Sequence, residues 1–299
     1  MSTPPLHLAA GDWEATILPA QGAALSALRH RGRDLIVPVP PGADPNGGFW
    51  GAFWMIPWAN RLDRGRLPFG GRTYHLPVNH LEDDTAIHGL ARDRPWRVEA
   101  AAPDRAVLVQ DLDGPSEGRL PFQYHARVEV VLAPDAGVTL AASVTNTAAD
   151  PFPFGLGWHP FFVRPRGTRL AFHAATMFGH DARTLPVAPR ATTGIQGGED
   201  VYLGLDTHFA GWDGRAEIAL PGGDGGSATA ATVLRLVADG AWNGNLQVFA
   251  PRAAAVLCVE PQSHVPDAPN RPELATAHGA MTVLAHGQTI AGRLAISVA

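Results

Sequence analysis

Residues 124–147 read YHARVEVVLAPDAGVTLAASVTNT. In the first half, apolar and polar residues alternate, with Val128 and Val130 set against Arg127 and Glu129. A period of two sends the apolar set to one face, as in a half-buried antiparallel strand. Pro134-Asp135-Ala136-Gly137 then supplies turn chemistry, and a second strand-like run follows it. Similar short runs recur along the chain, among them ALSALRH (24–30), RAVLVQDL (105–112), TVLRLVA (232–238), NLQVFAP (245–251) and AGRLAISVA (291–299). Asn243-Gly244 is a further turn signal. An Ala-rich piece at 274–280 suits a helix, but no long amphipathic helix with both caps stands out. Many short strands between frequent turns predict an all-β fold, a sandwich or barrel.

The 299 residues include 33 Gly and 27 Pro, spread out rather than gathered into one linker, and residues 1–299 are expected to form one domain. The low-complexity stretch 221–231 is expected as a surface loop within it. Apolar residues make up 45% and charged residues 17%, a balance that can bury a large core. Net charge is −5 with no block of like charges, which argues against nucleic acid or an anionic membrane as partner. No apolar run reaches membrane-spanning length, and the first residues lack a signal-peptide pattern, so a cytoplasmic address is expected. With Cys258 as the sole cysteine, an internal disulfide and a multi-cysteine zinc site are excluded.

Thirteen histidines raise a metal hypothesis, yet HExxH is absent, as are G-x-S-x-G and a P-loop. The pairs His75/His80 and His173/His180 read as ordinary surface or core histidines. Cys258 reads as an inert thiol in an apolar strand. Three segments stand apart because each sets a proton-active side chain at a strand edge or in a Pro/Gly-bounded loop. They are WANRLDRGRLPFGGRTYHL (58–76) with DDTAIHGLARDRPW (83–96), then GLGWHPFF (155–162), then VLCVEPQSHVPDAPN (256–270). Each has an ordinary explanation: an Arg61–Asp63 surface ion pair, a turn histidine at 88, a core histidine at 159, a solvated Glu260. Together they offer imidazole, carboxylate and guanidinium groups beside Trp58, Trp158, Phe161 and Phe162. Such a set suits a polyhydroxyl ligand with apolar ring faces.

These segments, with LDTHF (205–209), resemble the galactose mutarotase or aldose 1-epimerase family, five motifs in the family's order over most of the chain. The resemblance implies a large antiparallel β-sandwich that interconverts α and β anomers of a free aldose, with no metal and no organic cofactor. It implies Glu260 as general base at the C1 hydroxyl and His159 as general acid at the ring oxygen. It further implies His88, Arg61, Asp206, Asn60 and Trp158 as substrate-binding residues. A neutral-pH imidazolium at His159 would need a nearby carboxylate or the bound substrate to keep its proton, and Glu260 is the candidate carboxylate. The run HGLAR is also similar to the hexose-6-phosphate mutarotase branch, which would give Arg92, Arg94 and Arg64 a phosphate to hold. NRxxxGR and WHPFF are closer to the free-aldose branch. The remaining alternatives are a non-catalytic sugar-binding sandwich and a histidine-based metal hydrolase. The partner expected is a small-molecule sugar, with the chain a monomer or weak dimer.

Overall fold

The computed structural model describes residues 3–113, 121–222 and 231–299. Residues 223–230, most of the expected loop at 221–231, lie outside the described residues. Strands Tyr124–Ala133 and Gly137–Asn146 pair antiparallel in unbroken register, from Tyr124 opposite Asn146 to Ala133 opposite Gly137. Tyr124, Ala126, Val128, Val130 and Leu132 are buried, and the alternate residues are half-buried. On that outer side Glu129 accepts hydrogen bonds from Arg105 at 2.6 Å and Arg127 at 2.8 Å. Gly137 has φ +87°, and a Cβ there would come within 2.2 Å of the Ile296 carbonyl oxygen. Only glycine allows the turn to lie this close to the neighbouring strand.

This hairpin sits in a nine-stranded antiparallel sheet. Its strands run in the order Arg97–Ala102, Arg105–Leu112, Tyr124–Ala133, Gly137–Asn146, Thr289–Val298, Thr232–Gly240, Arg215–Leu220, Arg169–Phe172 and Ile195–Gly197. A twelve-stranded sheet faces it. Its main path runs Leu6–Ala10, Trp13–Leu18, Ala24–His30, Ala52–Met55, Gly157–Pro160, Val256–Gln262, Asn245–Phe249, Asp206–Ala210, Thr176–His180 and Pro186–Ala191. One hydrophobic cluster joins the two inner faces: Trp13, Trp54, Trp158 and Val259 from the larger sheet meet Leu108, Val128, Leu236 and Ile296 from the other. Each such side chain stabilises the sandwich by roughly 1.5–3 kcal/mol relative to exposure. The fold is the large antiparallel β-sandwich the sequence predicts. The Ala-rich piece is helical only as far as His278, in a helix Pro272–His278 opened by proline and closed at Gly279.

Five strands of the larger sheet place the site. Along them the strand period sorts side chains to opposite faces. Trp54, Trp158, Val259 and Val248 turn to the core between the sheets. Phe53, His159, Glu260 and Gln247, each one position along from these, turn the other way.

Candidate active site

The outward row is continuous across the sheet. Phe53 pairs with His159, Glu260 with Gln247, and Gln247 with His208. The Gly157–Gln262 pairing, carried two residues on, sets His159 beside Glu260. Phe53, His159, Glu260 and Gln247 of this row line a cavity of about 440 Å³. His159 Nε2 lies 3.3 Å from Glu260 Oε1. The imidazole is held between the rings of Phe53 and Phe161, each 4.6 Å away centre to centre, and meets His88 edge-on at 5.0 Å. Burial strips His159 of the water that would solvate a cation; with Arg92 and Arg61 nearby, its pKa is pushed down to about 3.

Glu260 is 1% exposed, and its Oε2 accepts a 3.2 Å hydrogen bond from Gln262 Nε2. Burial, reinforced by the negative Asp206, raises its pKa well above the usual carboxylate range, with Gln262 and Arg61 opposing. Both members of the pair are therefore driven toward their uncharged forms.

A small ladder beside the sheet supplies the remaining polar wall, with Arg61–Asp63 paired to Thr85–Ile87. The ladder ends in two residues of positive φ, Asn60 at +57° and His88 at +64°, and the His88 N–H donates to the Asn60 carbonyl at 3.0 Å. Gly89 follows at φ +76°, where a Cβ would stand 2.2 Å from the Ile56 carbonyl oxygen, so the chain presents His88 only with glycine behind it. Burial, with His159 and the cations around it, holds His88 well below the ordinary histidine pKa. Arg61 donates to Asp83 at 2.6 Å, Asp206 at 3.3 Å and Asn60 Oδ1 at 3.3 Å. Asp83 also takes Thr85 Oγ1 at 2.6 Å and pairs with His80 Nδ1 at 2.7 Å. Gln247 Nε2 donates to the other oxygen of Asp206.

Glu260, His159, Arg61, His88, Asp206, Asn60 and Arg92 all line this one cavity. Trp158 does not: it neighbours His159 in an extended strand, so its ring points to the inter-sheet core, fully buried against Phe162. Trp58 and Phe162 are likewise buried in the inter-sheet core, and of the four aromatics expected as walls Phe161 alone lines the cavity. Arg94 lies outside the lining, one residue past the 3₁₀ turn Ala91–Asp93, where the chain has become extended. Arg64 is more than half exposed and faces Asp63 and Asp84. The simple Arg61–Asp63 surface pair is replaced by a deeper arrangement, because Asp63 is taken by Arg66 and Arg183.

The sequence reading missed His80, Gln247, Phe53, Phe49 and Phe249. Gln247 had a readable signal, a long polar side chain within the apolar strand NLQVF. His80, an ordinary histidine by its sequence setting, lines the cavity. Phe53 and Phe249 had no signal, since they alternate with core residues along strands, and Phe49 had none because it lies in a loop. The donor atoms of His159, Cys258 and Glu260 lie within 4.8 Å of one another, the group among the described residues that could share a metal ion. Burial keeps Cys258 a thiol. No helix among the described residues is long and apolar enough to cross a membrane.

The profile of the aldose 1-epimerase family matches residues 6–297. Two uncharacterized proteins of Escherichia coli (strain K12) are similar in sequence. YphB is 27% identical over 258 residues, covering 82% of this chain and 83% of its own. YihR is 33% identical over 158 residues, covering 53% of this chain; the match spans about half of YihR, 50% of its length. A galactose mutarotase-like protein of Clostridium acetobutylicum has the same fold, with a TM-score of 0.82 at 19% identity over 98% of this chain and 94% of that one.

Proposed function

The chain belongs to the aldose 1-epimerase family, and on that premise we propose that it interconverts the α and β anomers of a free aldose by acid–base ring opening and closure. The observation that carries this reading is the 3.3 Å contact between His159 Nε2 and Glu260 Oε1 on the floor of a sugar-sized cavity. Mutarotation needs one proton removed at the C1 hydroxyl and one delivered at the ring oxygen. A buried pair that shares a single proton meets that need without a change of net charge.

Burial favours the arrangement with the proton on Glu260 and His159 neutral. Moving that proton across the 3.3 Å contact gives carboxylate and imidazolium. Glu260 then takes the C1 hydroxyl proton while His159 protonates the ring oxygen, and the C1–O5 bond breaks. The pair is left as acid and neutral imidazole, poised for the reverse. Rotation about C1–C2 presents the other aldehyde face, and ring closure returns the protons. General acid–base groups of this kind each contribute on the order of 10²–10⁴-fold. Arg61 and Asp206, already fixed by Asp83, Asn60 and Gln247, would bind ring hydroxyls, with His88 and Asn60 near the ring oxygen.

One observation favours a hexose-6-phosphate substrate: Arg92 stands in the cavity wall. It stands there without Arg94 and Arg64, which weakens the case for a phosphate cradle. A purely sugar-binding role leaves the His159–Glu260 pair unused. Polarimetry on freshly dissolved α-glucose and α-galactose tests the proposal. The protein is expected to speed the approach to anomeric equilibrium; no acceleration with any aldose of a broad panel would overturn it.

A further inference from the structure

Asp206 enters the cavity lining from the first position of the strand Asp206–Ala210. Arg61 Nη2 holds one carboxylate oxygen at 3.3 Å, and Gln247 Nε2 holds the other. A carboxylate accepts and cannot donate, so the Gln247 amide must turn its nitrogen to Asp206 and its oxygen away. That leaves Gln247 Oε1 buried and without a hydrogen-bond partner among the described residues.

A second orphan sits directly across the ladder. His208 pairs with Gln247, and residues so opposed stand about 4.5–5.5 Å apart at Cβ, within reach of both side chains. The two also border, with Asp206, a small cavity of about 10 Å³, room for at most about one water molecule. His208 is outside the lining of the large cavity; it is 3% exposed, with its ring edge-on to Phe178 at 5.5 Å. Its Nε2 lies 3.0 Å from Asn245 Oδ1, a position that a half-turn of the amide gives to Nδ2. Its Nδ1 is buried with no partner among the described residues. Burial pushes the His208 pKa down to about 3, so the ring is neutral and only one of its nitrogens carries a proton.

One proton placement serves both orphans. With the proton on Nδ1, His208 donates toward Gln247 Oε1, directly or across the single water the small cavity admits, and its bare Nε2 accepts from the Asn245 amide. The other tautomer would set two acceptors, Nδ1 and Oε1, against each other. The hydrogen bonds then run one way, from Asn245 through His208 and Gln247 to the Asp206 carboxylate, where Arg61 meets them. We propose that His208 is a positioning residue: acting through Gln247, it fixes the rotation of the Asp206 carboxylate and so sets which sugar hydroxyl that carboxylate takes. The kinetic side of this role rests on the mutarotase reading; the tautomer does not.

Nitrogen NMR of wild-type protein labelled at histidine is expected to show His208 neutral with its proton on Nδ1, the signal being assigned by its loss in His208→Asn. A proton on Nε2 would overturn the proposal, whatever the stability of any variant. Asparagine sets its Nδ2 close to where histidine has Nδ1, so His208→Asn keeps the donor, whereas His208→Phe keeps a ring and removes it. With an aldose as substrate, His208→Phe is expected to raise KM about fivefold or more, the worth of one hydrogen bond, with kcat changed less. His208→Asn is expected to stay within about twofold of the wild-type KM, well short of that loss. Added to Gln247→Leu, His208→Phe should cost little more, because both act on Asp206 through one amide. An unchanged KM in His208→Phe, an equal rise in His208→Asn, or additive effects with Gln247→Leu would each overturn the positioning role. If no aldose is turned over, calorimetric sugar affinity replaces KM in the same comparison. Affinity lost in His208→Phe and kept in His208→Asn would then uphold His208 and sink the mutarotase reading alone.

Discussion

His159 and Glu260 meet at 3.3 Å across neighbouring strands, and the two oxygens of the carboxylate have different partners. Oε1 faces the imidazole while Oε2 is held by Gln262. Among the described residues Oε1 accepts no other side-chain hydrogen bond, whereas Oε2 accepts that of Gln262. If the pair works as proposed, Glu260→Gln and His159→Asn each lower kcat by about 10²–10⁴-fold, with circular dichroism unchanged. Near-wild-type kcat in either variant would remove that residue from the assigned role.

The same burial makes Glu260 costly to keep. Its folded pKa is raised above the unfolded value of about 4.3. Between those two values the folded state binds more protons than the unfolded one, so stability falls as pH rises through the window. Gln at this position cannot titrate. Glu260→Gln is therefore expected to melt higher than wild type at pH 8, with the gap closing toward pH 4. A gap that stays constant with pH would contradict the raised pKa.

Four buried histidines act with the opposite sign. His159 and His208 are pushed down to about 3, His264 to about 4, and His88 well down, each mainly by burial. Their contribution is present above the unfolded pKa of about 6.5 and is lost as pH falls below it, each by up to about 1.4 kcal/mol per pH unit. Glu260 and Asp267, both raised, offset part of this. Melting temperature should drop steadily from pH 7 to pH 5, and His208→Asn should flatten the slope. A flat wild-type profile would count against neutral buried imidazoles.

Arg61 holds Asp83, Asp206 and Asn60 at once through the fork of its guanidinium. A lysine keeps the charge but has no planar fork to reach three partners. Arg61→Lys is expected to raise KM for an aldose about tenfold or more with a smaller change in kcat. An unchanged KM would mean that the hydroxyls are bound elsewhere.

The sandwich was legible because period-two alternation in runs such as 124–133 is a local property of the chain. The cavity's charged members were legible because proton-active groups beside Pro and Gly are conspicuous. Trp158 was misplaced for want of one fact: which face of a fully buried strand turns toward the core. In GWHP every residue is buried, so no alternation marks the faces. Pairing with Trp54 and Phe53 decides it. Phe49 and His80 escaped because only the fold carries their loops to the cavity.

The row Phe53–His159–Glu260–Gln247 lies within paired strands of the larger sheet, while Asn46, Phe49 and His80 ride on connecting loops. Such a layout separates inheritance from invention. If the proposed roles hold, lengthening or rewriting the rim would change which ligand fits while leaving the strand-borne row in place.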